Sequence, residues 1–369
     1  MKNNPLFKRQ KIAVLRANAL GDFIFALPAL TALRSRYPDA EITLLARPWH
    51  QSFLENRPGP VDRVVVIPSG AIGNEPGVKQ DPTELAAFFE AMQREQFDLA
   101  IQLHGGGRNS NPFTLRLGAK MAIGLRTPDA PALDRTVPYL YFQPEILRYL
   151  EVVSLVDAVT SDLEPRLTVT QSDRAESLEI VPETKVPLVA IHPGAGDPRR
   201  RWPVQKFAAV GDAIAATGAR IIVTGTEPEA DLAHHLIDLM KAKAQNTCGR
   251  LSLKGLAGLL SRCSVLISND SGPLHLAAAV GTATVGIYWC GNLITAGPLT
   301  RSRHRPVISW RLNCPVCGLD CIQHTCEHPA SFVADLPVQD VIESVFDLLA
   351  IESRRWDMDS SCTGIIVER

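Results

Sequence analysis

Short, unbroken apolar runs constrain this chain more than any other feature. Residues 188–191, 219–224, 264–268 and 283–288 do not alternate polar with apolar side chains, so each reads as a strand covered on both faces. Between and after them, residues 203–217, 227–243, 253–262 and 272–280 carry apolar residues at helical spacing. The first half repeats the pattern. Strands are expected at 11–16, 41–47, 63–67 and 98–103, with helices at 22–36 and 83–96. Strand, short loop and helix in alternation predict an α/β chain with doubly wound parallel sheets.

At 369 residues the chain exceeds the ~250–300 at which single cores stop growing, so two domains are expected. Residues 171–187 hold few core residues and two prolines and read as the linker. The expected division is an N-terminal domain at 1–180, a C-terminal domain at 181–350, and a polar, frayed tail at 351–369. Residues 128–144, rich in proline and aromatics, read as a lid or irregular loop, and 144–159 as a helix. A last helix is expected at 338–349.

A net charge of -1 argues against a nucleic-acid partner, which normally meets a basic domain. The chain opens without a long apolar segment and has no later run of membrane-spanning length. A cytoplasmic protein is expected, with its eight cysteines mostly as thiols.

Four loops fall at carboxyl ends of strands, where open α/β sheets bind ligands: residues 17–22, 192–201, 225–229 and 269–275. In Asn269-Asp270-Ser271-Gly272-Pro273-Leu274-His275 a strand turns tightly into a helix. Free backbone N–H groups and the helix dipole there make an anion seat suited to a diphosphate. His192-Pro193-Gly194-Ala195-Gly196, with Arg199-Arg200-Arg201 before Trp202, joins further N–H groups to three cations able to offset charge on a leaving phosphate. A solvated basic turn with Trp202 in the core would fit the same residues. Asp22 stands near a helix start, either as a dipole-stabilised acid or as a base for an acceptor hydroxyl. The glycine-rich His104-Gly105-Gly106-Gly107-Arg108 ends another strand and is either a plain turn or part of a site.

Taken in order, Ile12-Ala13-Val14-Leu15-Arg16, Leu20-Gly21-Asp22, Leu27-Pro28-Ala29-Leu30, His192-Pro193-Gly194-Ala195, Arg201-Trp202-Pro203 and the segment from Asn269 to Ala278 resemble glycosyltransferase family 9. This family holds the ADP-heptose:lipopolysaccharide heptosyltransferases and their relatives. The resemblance implies a GT-B architecture of two facing Rossmann-like domains, the acceptor on the first and the nucleotide sugar on the second. It implies an inverting single displacement that requires no metal cofactor. Asp22 matches the family's general base. Asp270, Ser271, Gly272 and His275 match its donor turn, and Gly194 and Ala195 its second donor loop. Glu227 lies where the family often has an acid near the nucleoside, and Arg200 stands where lysine is usual. The implied partners are an ADP-heptose donor and a glycan or lipid-linked acceptor. Separately, the cationic run at 301–305 reads either as a solvated face or as a contact for acceptor phosphates or for an anionic bilayer, with peripheral association at the inner membrane face. The alternatives are transfer to a protein, use of another nucleotide sugar, or binding without catalysis. A dehydrogenase is disfavoured because residues 17–21 lack G-x-G-x-x-G.

Cys314, Cys317, Cys321 and Cys326, with His324 and His328 beside them, crowd the segment 314–328. The expectation is a structural staple, either zinc held by the four thiolates or buried thiols.

Overall fold

The computed structural model describes residues 10–73 and 80–362, with side chains through Glu352. The chain divides into two compact units, Met1–Thr168 and Val169–Arg369.

In the first unit the elements run β1 (Lys11–Leu15), α1 (Leu20–Arg36), β2 (Glu41–Ala46), α2 (Pro48–Leu54), β3 (Arg63–Val66), α3 (Pro82–Arg94), β4 (Leu99–Gln102), α4 (Ser110–Arg116), β5 (Met121–Arg126), β6 (Arg135–Pro138) and α5 (Glu145–Ser154). Six parallel strands lie in the order β3-β2-β1-β4-β5-β6. Ile12, Ala13, Val14 and Leu15 are buried, as expected of a central strand. α1 buries Phe23, Ile24, Leu27, Leu30 and Leu33, which fixes its start beside the end of β1.

The second unit runs α6 (Gln171–Ile180), β7 (Leu188–His192), α7 (Val204–Ala215), β8 (Arg220–Val223), α8 (Ala230–Leu239), β9 (Ala244–Asn246), α9 (Leu253–Leu260), β10 (Val265–Asn269), α10 (Gly272–Ala279), β11 (Ala283–Trp289), α11 (Cys290–Ala296), β12 (His304–Ser309) and α12 (Val338–Cys362). Its parallel sheet is ordered β12-β11-β10-β7-β8-β9. Counted from its own first strand this is the order of the first sheet, that of a dinucleotide-type fold. Each sheet therefore reverses direction once, between β1 and β4 and between β10 and β7, and ligands bind outside the strand ends at such points.

Several expectations need correction. Residues 171–187 are not an open linker: α6 occupies Gln171–Ile180 and packs on α9, so the division falls after Thr168. Residues 128–144 contain an edge strand, β6, paired with β5. The polar tail continues α12 as far as Cys362, and its remainder, like the chain's opening residues, lies outside the described residues. Among the described residues no helix is long and apolar enough to cross a membrane.

Candidate functional site

In the second unit, the loops after β7 and β10 meet at the reversal point, and one buried side chain joins them. The Asn269 side chain donates to the Pro193 carbonyl at 2.7 Å and accepts from the Trp202 backbone N–H at 2.9 Å. Both ends of the basic loop are thus fixed to β10. Trp202 itself is buried beside Phe207, and its indole N–H donates to the Leu336 carbonyl. The loop is therefore built on a core anchor, as either reading of it expects, and its three arginines are half-buried rather than fully solvated.

That anchoring sets the position of Arg200. Its Nη1 donates to Asp270 Oδ2 at 3.1 Å, and His275 Nε2 lies 3.1 Å from Asp270 Oδ1. Burial alone would raise the Asp270 carboxyl, but the His275 hydrogen bond and the charges of His275 and Arg200 hold it below the usual carboxylate range. The carboxylate stays ionised and orients a guanidinium fork that has further N–H groups to offer an oxyanion. Ser271, the residue before α10, makes no side-chain cap and instead shares a hydrogen bond with Ser268. In the first turn of α10 the Leu274 and His275 N–H groups turn to the Ser271 carbonyl and Pro273 has none, so the helix start offers a ligand the Gly272 N–H and the positive end of its dipole.

Gly194 sits against Glu229: a Cβ there would lie 1.8 Å from Glu229 Oε1. Glu229 accepts from the Thr226 amide and hydroxyl, each at 2.8 Å, and approaches buried His192 at 3.9 Å. Burial pushes the His192 imidazole below its ordinary value, against the pull of Glu229 and the Thr224 carbonyl. Ala195 is buried. Glu227 is exposed, and it is Glu229, two residues on, that touches the glycine loop.

In the first unit, Asp22 lies in the first turn of α1. One carboxylate oxygen accepts from Arg16 Nη2 at 3.0 Å and the other from the Ala19 N–H at 3.1 Å. Its side chain remains 35% exposed. Arg16 is buried and also donates to the Asp22 and Leu103 carbonyls and to Glu145 Oε2. Glu145 in turn binds Arg148, which holds the carbonyls of Leu140, Tyr141 and Gln143. A cavity of about 170 Å³ opens at the same strand ends, lined by Ala17, Arg47, His104, Asn109 and their neighbours. Burial, with Arg16 and Arg47 nearby, lowers His104 to about 3, so the ring is neutral and accepts the Ala17 N–H at 3.3 Å.

The cysteine segment differs from the expected four-thiolate set. Cys314, Cys317, Cys326 and His328 bring their ligand atoms within 4.8 Å of one another, an arrangement able to hold a metal ion. Cys321 is not among them: its Sγ is turned to the Leu319 carbonyl at 3.3 Å, because its backbone pairs back on Leu312.

The sequence pointed to Asp22, Arg200, Asp270 and His275 but not to the contacts of Arg16, Asn269 and Glu229 or to the place of His328 among the clustered cysteines. Arg16 did carry a signal, a charge closing an apolar strand run. Asn269 carried another, an amide closing the run of β10.

A family model for glycosyltransferase family 9 (heptosyltransferase) matches residues 85–315, more than half of the chain. The lipopolysaccharide core heptosyltransferase OpsX of Haemophilus influenzae is 22% identical over 307 residues, covering 80% of this chain and 84% of its own. Lipopolysaccharide heptosyltransferase 2 of Salmonella typhimurium is 24% identical, with 75% and 82% covered. Among solved structures, a family 9 glycosyl transferase from Veillonella parvula superposes with a TM-score of 0.77 at 21% identity, covering 92% of this chain and 97% of that one. The ADP-heptose lps heptosyltransferase II of E. coli gives 0.73 at 19% identity, covering 93% and 100%. The iron-containing dodecameric glycosyltransferase TibC of enterotoxigenic E. coli is more distant, at 0.55 and 13%, covering 93% and 79%. Two Rossmann-like units so matched make the GT-B fold.

Proposed function

The chain belongs to glycosyltransferase family 9, and on that premise we propose that it transfers a heptose or related sugar from an ADP-linked donor to a hydroxyl of a lipopolysaccharide-type acceptor. The observation that carries this is the Arg200–Asp270–His275 constellation beside the N-terminus of α10. Cationic side chains and N–H groups together suit a diphosphate that gains charge as the sugar departs. Asp270, the acid of that constellation, has one oxygen on Arg200 and the other on His275. Leaving-group stabilisation thus falls to Arg200 and the helix end, with no metal required.

On the first unit, Asp22 takes the proton of the acceptor hydroxyl as that oxygen attacks the anomeric carbon. The bond to the nucleoside diphosphate breaks in the same displacement, and the configuration inverts. Arg16 aims the Asp22 carboxylate, whose exposed edge meets the acceptor. Glu229 and the Gly194–Ala195 turn face the nucleoside side of the donor, Glu229 taking the part first expected of Glu227. A lipid-linked acceptor would bring the enzyme to an anionic membrane surface. There Arg301 is the exposed cation of its run, since Arg303 and Arg305 pair with Glu352 and Asp347.

A thermal-shift panel of nucleotide sugars tests the donor, because a ligand that binds only the folded state raises its melting temperature. ADP-linked sugars are expected to stabilise most. A clear preference for UDP- or GDP-linked sugars would overturn the donor assignment.

A further inference from the structure

The cysteine segment is joined to the basic loop of the second unit by a chain of specific contacts. Cys314 begins a tight turn in which the Gly318 N–H donates to the Cys314 carbonyl at 2.9 Å, with Gly318 at a φ of 74° that favours glycine. This turn sets Cys314 and Cys317 side by side, and the returning chain supplies Cys326 and His328.

The spacing is that of a coordination shell. Cys314 Sγ lies 3.8 Å and Cys326 Sγ 3.1 Å from His328 Nδ1, and Cys317 Sγ lies 3.5 Å from Cys326 Sγ. A tetrahedron with metal–sulfur bonds of ~2.3 Å has edges of ~3.8 Å. A disulfide would bring two sulfurs to ~2.05 Å. The backbone N–H groups of Val316 and His328 point at Cys314 Sγ and Cys326 Sγ, at 3.4 and 3.5 Å, as N–H donors that orient thiolate ligands do. Three sulfurs and one imidazole fit a closed structural site for a thiophilic divalent metal.

From this shell the contacts lead to the donor loop. Arg199 Nη1 donates to the Cys326 carbonyl at 3.0 Å, and its guanidinium lies over the Phe332 ring, 5.8 Å from the centroid. The Phe332 N–H returns to the Arg199 carbonyl at 2.8 Å, and the Ser331 hydroxyl donates to the Arg201 carbonyl at 2.7 Å. Phe332 packs with Cys314, Cys326 and Trp289 in one small apolar cluster. The residues on both sides of Arg200 are thus held by the segment that carries the ligands.

We propose that Cys314, Cys317, Cys326 and His328 bind one divalent metal ion whose role is to hold the Arg199–Arg201 stretch, and with it Arg200, in place for the donor diphosphate. Metal binding and loop order stand apart from the glycosyltransferase assignment; only the effect on the donor rests on it.

Elemental analysis of the full chain, purified without added metal, should find one equivalent of zinc or iron. Cys317→Ser with His328→Ala should lose it and Cys321→Ser should keep it. Amide hydrogen exchange over residues 197–203 should then quicken about tenfold on metal removal, and the affinity for ADP should fall by a similar factor. Both should recover when metal is restored to the stripped wild-type protein. Arg199→Met serves as a second variant with the ligand set intact: it should retain the metal yet show the fast-exchanging loop. Absence of stoichiometric metal, or metal loss with unchanged exchange at 197–203, overturns the proposal. If the loop responds but the metal-loaded protein binds no ADP, the staple stands and the donor assignment fails.

Discussion

His50 and His104 stand at the strand ends of the first unit, and both are lowered to about 3, first by burial and then by nearby arginines. Each neutral ring accepts a backbone N–H at its Nδ1, from Arg47 and Ala17 respectively. The unfolded chain takes up these protons near pH ~6.5, whereas the folded chain resists until about pH 3. Their stabilising effect is therefore complete above pH ~6.5 and is lost as pH falls below it, at up to ~1.4 kcal/mol per unit for each histidine. The melting temperature should fall between pH 7 and pH 5. In His50→Asn/His104→Asn, which keeps an acceptor without the titration, the slope should flatten; an unchanged slope would contradict this account. Neither histidine was legible as a structural acceptor in the sequence, since burial and neighbouring charge come from strands far apart in the chain. Asp22 and Asp270 were legible because their loops are contiguous motifs.

At the scale of elements, the sequence showed most of the helices and strands that bury aliphatic side chains and hid those, such as β12 and α6, that bury few. α6 was read as linker because its buried residues are Asp173 and Ser177. It packs by close backbone approach rather than by apolar bulk. A Cβ on Gly258 of α9 would lie 2.0 Å from the Asp173 carbonyl oxygen, and one on Gly255 would meet Glu176. Gly258→Ala must push the two helices apart, at a cost of about 1–3 kcal/mol, and should lower the melting temperature by several degrees. Gly59→Ala, with nothing within 4 Å of the added methyl, should stay within about 0.5 kcal/mol of wild type. Equal melting temperatures for the two variants would show that α6 and α9 are not so closely packed. β6 was hidden for a different reason: it is a four-residue edge strand ending in Pro138, where neither length nor alternation distinguishes it from a loop. The exposed Leu140, Tyr141 and Phe142 that follow it hang from Arg148, and so through Glu145 from Arg16.

At the scale of the whole molecule, both sheets repeat one strand order, and the loops carrying Asp22, Arg200 and Asp270 each follow a strand beside a reversal point, while Glu229 follows β8, one strand further out. β1 delivers the Arg16–Asp22 pair; β7 and β10 deliver the basic loop and the Asp270–His275 turn proposed to seat the diphosphate. That much followed from the alternation of strands and helices, together with loop motifs at strand ends. The ties between loops did not, because Asn269 reaches Pro193 and Trp202 across more than sixty residues of sequence, and no local pattern encodes such a bond.

In the proposed reaction Asp22 removes the proton and the second unit binds the donor. The direct measurement is acceptor-dependent ADP release from ADP-heptose, using lipid-linked core oligosaccharide as acceptor, by wild type and by Asp22→Asn. Turnover in the variant should fall about 10²–10⁴-fold, while its affinity for ADP remains that of wild type. Near wild-type turnover in Asp22→Asn would contradict the account.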